Sequence, residues 1–456
     1  MISVRRDYCQ AIIYTSQFRN FAHLPLFPVI DLQACIKTLI VLESTRDSGI
    51  VMSFGEDYLK IVGQTGNFTK EVTGMSVIDS YFGPKKFSQE KSKMRLNPAK
   101  LLMELDELIE RAKDIDDELR RIAVTSDLES LKVVVSWLSG EDIPYTRLVE
   151  GIFGITPRKF SENEIRKAQQ VVEDACTGLP GSDVSEKILK WEKENKISGE
   201  TLKKIIDTEV VDRTKEIERL FERQVFAHLS TKVENKGVIY KTTTGEPWSA
   251  YSCYQGNYTS LHIFNIDRPT NKHWLTSTLC HEYEHHVAAL FREKFYRQSK
   301  SLDLTAMLWY GKQSIISEGT ASCADDFLGL QSVRERLGFM GPLFDLDLMV
   351  GLNVAYMLNV EGVDDETAIG YWASEGFASI DHVKPRIGFS KPLAPSGKPN
   401  FFKPYIYTYF FGRRNYVLPT FQKSQKKGKL KEFFQTLYLN PYSRSTATWE
   451  IAFSRI

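Results

Sequence analysis

Hydrophobic positions recur every three to four residues along most of the chain, which predicts a largely helical protein. A helical pattern runs from near Glu56 to Gly66, and Tyr81-Phe82-Gly83-Pro84 then forces a turn. Asn97-Pro98 is an N-cap followed by proline at the first helical position, and Leu101, Leu102, Leu105, Leu108 and Ile109 follow at helical spacing. Ser161 and Glu164 form a capping-box pattern for a helix that ends before Gly178 and Pro180. Ser182 to Ser185 starts a short helix. Ser198-Gly199 opens a long one, with Leu202, Ile205, Ile206, Val210, Ile217, Leu220 and Phe221 on its buried stripe. Residues 1–45 give no clear element, and Leu24-Pro25-Leu26-Phe27-Pro28 reads as a break.

Strand patterns are confined mainly to residues 237–267. Gly237–Tyr240 and Ser260–Asp267 are the two candidates, with turns at Gly245–Trp248 and Gly256-Asn257. Helical spacing returns after Asp267 and holds to the C-terminus. No internal repeat is present. These patterns predict a mainly α fold with a small sheet before a central helix. The expected organisation is an N-terminal region over 1–96, a helical lobe over 97–235 and a catalytic lobe over 236–456.

Composition narrows the class. The 456 residues are 42% hydrophobic and 26% charged, as in a globular protein. The 59 basic and 58 acidic side chains leave a net charge of +1, which gives no footprint for nucleic acid or an anionic membrane surface. Lys423, Lys426, Lys427, Lys429 and Lys431 read as a solvated run. Six cysteines (Cys9, Cys35, Cys176, Cys253, Cys280 and Cys323) include no C-x-x-C pair, so reduced thiols and a cytoplasmic protein are expected. Gln10, Gln17, Arg19 and Asn20 interrupt any apolar leader, and the longest apolar stretches, near 36–42 and 349–358, are too short to span a bilayer. The expectation is a soluble monomer or homodimer without nucleic-acid or membrane partners.

One segment carries candidate chemistry. Three of the eight histidines fall at positions 281, 285 and 286, within Cys280-His281-Glu282-Tyr283-Glu284-His285-His286. His281 and His285, four residues apart, share one face of a helix and can ligate one ion, while Glu282 can act on a water molecule as general base. Asp267 to Asn271 supplies a stop and a cap for that helix. Within Ser317-Glu318-Gly319-Thr320-Ala321, Glu318 lies 33 positions beyond His285, in a second helical stretch rich in small residues. Close packing of the two would let Glu318 complete a two-histidine, one-glutamate zinc site, one ion per chain. His286 points about 100° from the ligand face. It is a candidate for a supporting or structural role.

These two motifs resemble those of the gluzincin metallopeptidases, and the helical surroundings are similar to the branch of thimet oligopeptidase and carboxypeptidase Taq. The resemblance covers about 245–330 and 405–440. It implies a zincin-like helical body with a deep cleft, and cleavage of short peptides as carboxypeptidase or oligopeptidase by water on zinc. It implies further that Ser260–Asp267 is an edge strand pairing with substrate backbone. Thr408 to Arg413 resembles a late tyrosine-bearing helix, which would bring Tyr409 to an oxyanion. Arg413 could hold a substrate carboxylate through its guanidinium fork. The sequence departs from the family at Glu284, where many members have glycine, and at Ser322, where some have aspartate; Asp325 lies on the same helical face as Glu318 and could orient the first histidine in its place. His382 is a weaker catalytic candidate. The alternatives are an inactive zinc-binding scaffold that keeps a peptidase fold, or a zinc hydrolase of a non-peptide amide.

Overall fold

Side-chain caps set eight of the α-helix starts in the computed structural model, which describes residues 53–89, 97–330 and 338–456. The expectations for residues 1–45 lie outside these. Ser53 and Glu56 form a capping box at the start of α1 (Phe54–Thr73). Asn97 caps α2 (Pro98–Ala112), and Asp117 caps α3 (Glu118–Leu138). After α4 (Tyr145–Phe153), the Ser161–Glu164 capping box opens α5 (Glu162–Ala175), and Asp183 caps α6 (Val184–Asn195). Two expectations need correction. The first helix runs through Gly66 to a left-handed Gly74, because Gly66 is a packing position: a Cβ there would lie 3.0 Å from both the Ile78 Cδ1 and the Ser76 Oγ. The long helix after Ser198 is two helices, α7 (Gly199–Thr208) and α8 (Val210–Gln224), although Leu202, Ile206, Val210, Ile217 and Phe221 keep one buried stripe.

The central sheet has three strands, β3 (Val238–Thr243), β4 (Ala250–Gly256) and β5 (Thr259–Asn265), in the order β3-β5-β4. β3 pairs parallel with β5, from Val238 against Ser260 to Thr243 against Asn265. β4 and β5 are antiparallel, joined at Asn257 and Tyr258 with φ of 52° and 61°, the left-handed pair of a tight hairpin turn. β4 escaped the sequence pattern because its burial does not alternate cleanly. The expectation that residues 260–267 form an exposed edge strand is also corrected. β5 is the middle strand, both of its edges are bonded, and it has no free backbone row for a substrate. Two short pairs complete the strands: β1 (Ile78–Tyr81) with β7 (Ala306–Leu308), and β2 (Lys196–Ile197) with β6 (Thr270–Asn271).

Asn271 accepts from the His273 and Trp274 amides at 3.0 Å and starts α9 (Lys272–Ser299), whose 28 residues rise about 42 Å. It packs against β4, α8 and α10 (Lys312–Ala321). The chain continues through α11 (Ala324–Phe327), α12 (Met340–Tyr356), α13 (Asp365–Glu375) and α14 (Ile380–Ile387). Among the described residues, α12 with its π-helical extension to Glu361 is the one helix long and apolar enough to cross a bilayer; 61% of its apolar window is buried within the protein, and it packs on α5 and α13. α15 (Tyr407–Phe411) runs through a π-helical segment, Gly412–Val417, into α16 (Leu418–Lys426), followed by α17 (Leu430–Leu439) and α18 (Trp449–Ala452). A continuous apolar core extends from Tyr58 in α1 to Ile456. The mainly α expectation agrees with this architecture.

α10 and the α15–α16 segment meet backbone to backbone. A Cβ on Gly319 would lie 2.3 Å from the Gly412 carbonyl carbon, and one on Gly412 would lie 1.9 Å from the Ile315 carbonyl oxygen. Only hydrogen fits at both positions. This contact accompanies the placing of Tyr405, just before α15, on the carboxylate of Glu318.

Candidate metal centre

α9 carries His281, Glu282 and His285, and α10 carries Glu318. The Nε2 atoms of the two histidines are 3.2 Å apart, and Glu318 Oε2 lies 3.2 Å from His281 Nε2 and 3.7 Å from His285 Nε2. Three donor atoms from two helices thus surround one point. Glu318 is 6% exposed, and its Oε2 is buried with no hydrogen-bond partner, while Oε1 accepts from the Tyr405 hydroxyl at 2.8 Å. Ser317 Oγ lies 3.4 Å from His285 Nδ1, on the ring's far side from the cluster.

The electrostatics bind the three together. Burial alone would raise the Glu318 carboxyl, but the close approach and charge of both histidines outweigh it and hold the group well below the usual carboxylate range. Burial disfavours charge on His285, yet Glu318 overrides it and pushes the imidazole up to about 9. Those protons occupy the positions a cation would take between the same atoms. Glu282 is 6% exposed and is raised by burial, against the attraction of His281 and His285.

His281, Glu282, Ala250 and Tyr409 line two cavities, one of about 810 Å³ and one of about 120 Å³. The Tyr409 ring centroid is 6.3 Å from that of His281, and burial raises the Tyr409 phenol well above its ordinary value. Two residues in the small cavity were not singled out by the sequence. Tyr405 sat unmarked in an aromatic-rich run. Asp79 preceded a recognised turn with no motif of its own; its carboxylate accepts from the Tyr251 hydroxyl at 2.7 Å, and burial pushes it up to about 6.

Other candidates lie elsewhere. His286 is fully buried between Ser260 Oγ, 2.8 Å from its Nδ1, and Asn235 Oδ1, 2.9 Å from its Nε2; it fastens α9 to the central sheet, and burial lowers it to about 3. Glu284 is buried with the Tyr438 hydroxyl and the Arg444 guanidinium at 3.1 to 3.2 Å, tying α9 to the C-terminal segment. Asp325 accepts from Ser277 Oγ at 2.7 Å, one turn before His281 on α9. Arg413 is buried and donates to the Ser322 carbonyl at 2.8 Å and to Asp326, so its guanidinium fastens the α10–α11 junction. His382 lines the large cavity, with Arg386 Nη1 at 2.7 Å from its Nε2.

No protein-family model matches the chain, and no curated protein does. Solved structures that resemble it include the following two. One is described as a "putative lipoprotein" from Colwellia psychrerythraea, with a TM-score of 0.51 and 14% identity over 78% of this chain and 67% of that one. The other, from Shewanella oneidensis, carries the same description with unknown function; its TM-score is 0.43 at 13% identity, covering 94% and 93%. The likeness to the Colwellia protein is one of fold.

These findings overturn the gluzincin assignment and the peptide-hydrolase activity that came with it. The Colwellia structure is described as a "putative lipoprotein", and no family model or curated protein supplies a peptidase relative. The resemblance rested on two short motifs, which any helix pair holding a metal between two histidines and a glutamate would need, so shared chemistry stood in for kinship. The helical character stands. The cytoplasmic expectation is corrected by the same Colwellia structure, described as a "putative lipoprotein". It rested on sparse cysteines and on the lack of a clean leader. A chain of this size builds its core without disulfides in any compartment, so the cysteine argument carried no information on location.

Proposed function

We propose that His281, His285 and Glu318 hold one zinc ion and that the chain is a metal-dependent hydrolase with Glu282 as its base. The observation that carries this reading is the spacing of the donor atoms, 3.2, 3.2 and 3.7 Å. Bonds of about 2.0–2.1 Å at tetrahedral angles put neighbouring ligand atoms roughly 3.3 Å apart. The unpartnered Glu318 Oε2 and two facing imidazole nitrogens supply lone pairs to a cation. Two nitrogens and a carboxylate oxygen suit zinc and leave one position open.

Zinc in such a site supplies Lewis acidity and lowers the pKa of a water molecule. Glu282, beside the first ligand and facing both cavities, would accept a proton from water there and hold it for delivery to a leaving group. Its burial favours the protonated form once the proton has arrived. Tyr409 at the cavity wall donates to the oxyanion. Tyr405 and Ser317 hold Glu318 and His285 in place.

Elemental analysis after zinc reconstitution and dialysis tests the ligand set. About one zinc per chain is expected in the wild type and in Glu282→Gln, and a small fraction of that in Glu318→Ala. A panel of aryl esters and anilides tests turnover, which chelator and Glu282→Gln should both abolish. A wild-type protein without zinc, or a Glu282→Gln variant of full activity, refutes the reading.

A further inference from the structure

We propose that the large cavity ends in an anion-binding subsite built on Arg268, and that the substrate is therefore an elongated acid with an apolar body and a terminal carboxylate or phosphate. This rests on reading that cavity as the substrate channel. Arg268 and His281 both line it. Arg268 precedes the Asn271 cap of α9, and the ten residues from Asn271 to His281 rise about 15 Å. The subsite and the metal ligands thus lie well apart on the wall of one cavity.

Arg268 is half-buried in a loop held rigid by its own hydrogen bonds. Asn265 Nδ2 donates to the carbonyls of Glu246 at 2.8 Å and Trp248 at 3.1 Å, and Asp267 accepts from the Gly245 amide at 2.8 Å. The guanidinium makes one hydrogen bond, from Nη2 to the Pro247 carbonyl at 2.6 Å. Among the described residues no carboxylate pairs with it. Four of its five N–H groups remain for a ligand. The cavity wall carries Glu192, Asp347 and Asp381, yet among the described residues Arg268 has only the Pro247 carbonyl as a hydrogen-bond partner. The neighbouring Arg386 is already met by Asp347 at 2.8 Å, and burial pushes the Glu192 carboxyl up to about 7. Lys196 adds a further cation at the cavity wall. A guanidinium taken partly out of water without a counter-charge favours an anion that brings one, and its planar fork fits carboxylate or phosphate. Trp274, Phe344, Trp372 and Phe389 add apolar wall to the same cavity. A fully polar substrate would leave that wall unused.

Calorimetric titration with 6-phenylhexanoate, 6-phenylhexyl phosphate and 6-phenylhexanamide tests the subsite on the full chain, both zinc-loaded and chelator-treated. At least one of the two anions should bind about tenfold or more tightly than the amide to both forms of the protein, as a charge-assisted pair predicts. The preferred anion identifies the terminal group. Arg268→Gln should bring the anions within about twofold of the amide while leaving amide affinity unchanged, and Arg268→Lys should keep part of the preference. Equal affinity of anions and amide for the wild type, absence of binding by all three probes, or a preference that survives Arg268→Gln overturns the proposal. Should Arg268→Gln fail to fold, the wild-type comparison and Arg268→Lys still decide it. The chelator-treated arm reads the subsite without metal, so failure of the zinc reading appears separately in the elemental analysis.

Discussion

Replacing Tyr405 with phenylalanine removes one hydroxyl from the support of the metal cluster and little else. The hydroxyl donates to Glu318 Oε1 at 2.8 Å, with Tyr405 4% and Glu318 6% exposed. A buried hydrogen bond to a charged group is worth about 1.5–3 kcal/mol. At about 1.4 kcal/mol per decade, that is roughly a 10- to 150-fold loss if the whole term is felt by the metal. The loss of an outer partner of a metal ligand independently predicts about 10- to 100-fold. The ring itself stays packed against Trp309 at 5.4 Å, Tyr409 at 6.0 Å and Phe153 at 6.1 Å, so phenylalanine keeps the fold. The assay is competition for zinc against a chelating dye, with a thermal melt of the metal-free variant to confirm folding. A zinc affinity within about twofold of the wild type in a folded variant would refute the argument that Tyr405 holds Glu318 for the ion.

Two further perturbations test the surrounding structure. Gly412→Ala places a methyl 1.9 Å from the Ile315 carbonyl, where neither backbone can yield; a loss of about 3 kcal/mol or more in urea unfolding, together with weakened zinc binding, is expected, and wild-type stability would refute the close approach. His262 and His286 are both held below the ordinary imidazole value by burial, His286 down to about 3. A depressed folded value stabilises the protein above the unfolded value near 6.5, and that stabilisation is lost as pH falls from there toward 3. Urea midpoints should therefore drop between about pH 6.5 and 4, less steeply in His262→Leu, and parallel profiles for the two proteins would sink this account.

Helix starts were legible because a cap acts within four positions of chain. Ser161 with Glu164, Asn97 with Pro98, and Asn271 before α9 each satisfy amides of their own first turn. The histidine pair was legible for the same reason, since an interval of four residues on a helix puts two side chains on one face. Glu318 stood out only through its small neighbours; the glycine at 319 that allows contact with Gly412 is the physical form of that hint. The peptidase assignment failed because it extended a local motif to a family, while the motif records what a metal needs and not which chain supplies it.

By itself, then, the sequence determined the elements and the donors that lie close along the chain: capped helices, a buried stripe through residues 202–221, and His281 with His285. The tertiary structure decided everything that joins distant positions. It made β5 the central strand, turned Gly66 from a helix end into a packing site, and spent Arg413 on Asp326, 87 positions away. It set Tyr405 on Glu318 across the same separation and left Arg268 without a counter-charge on the wall of the large cavity. Caps and periodicity are fixed by bonds a few residues long, whereas pairing, burial and counter-charge depend on which remote segments the core brings together.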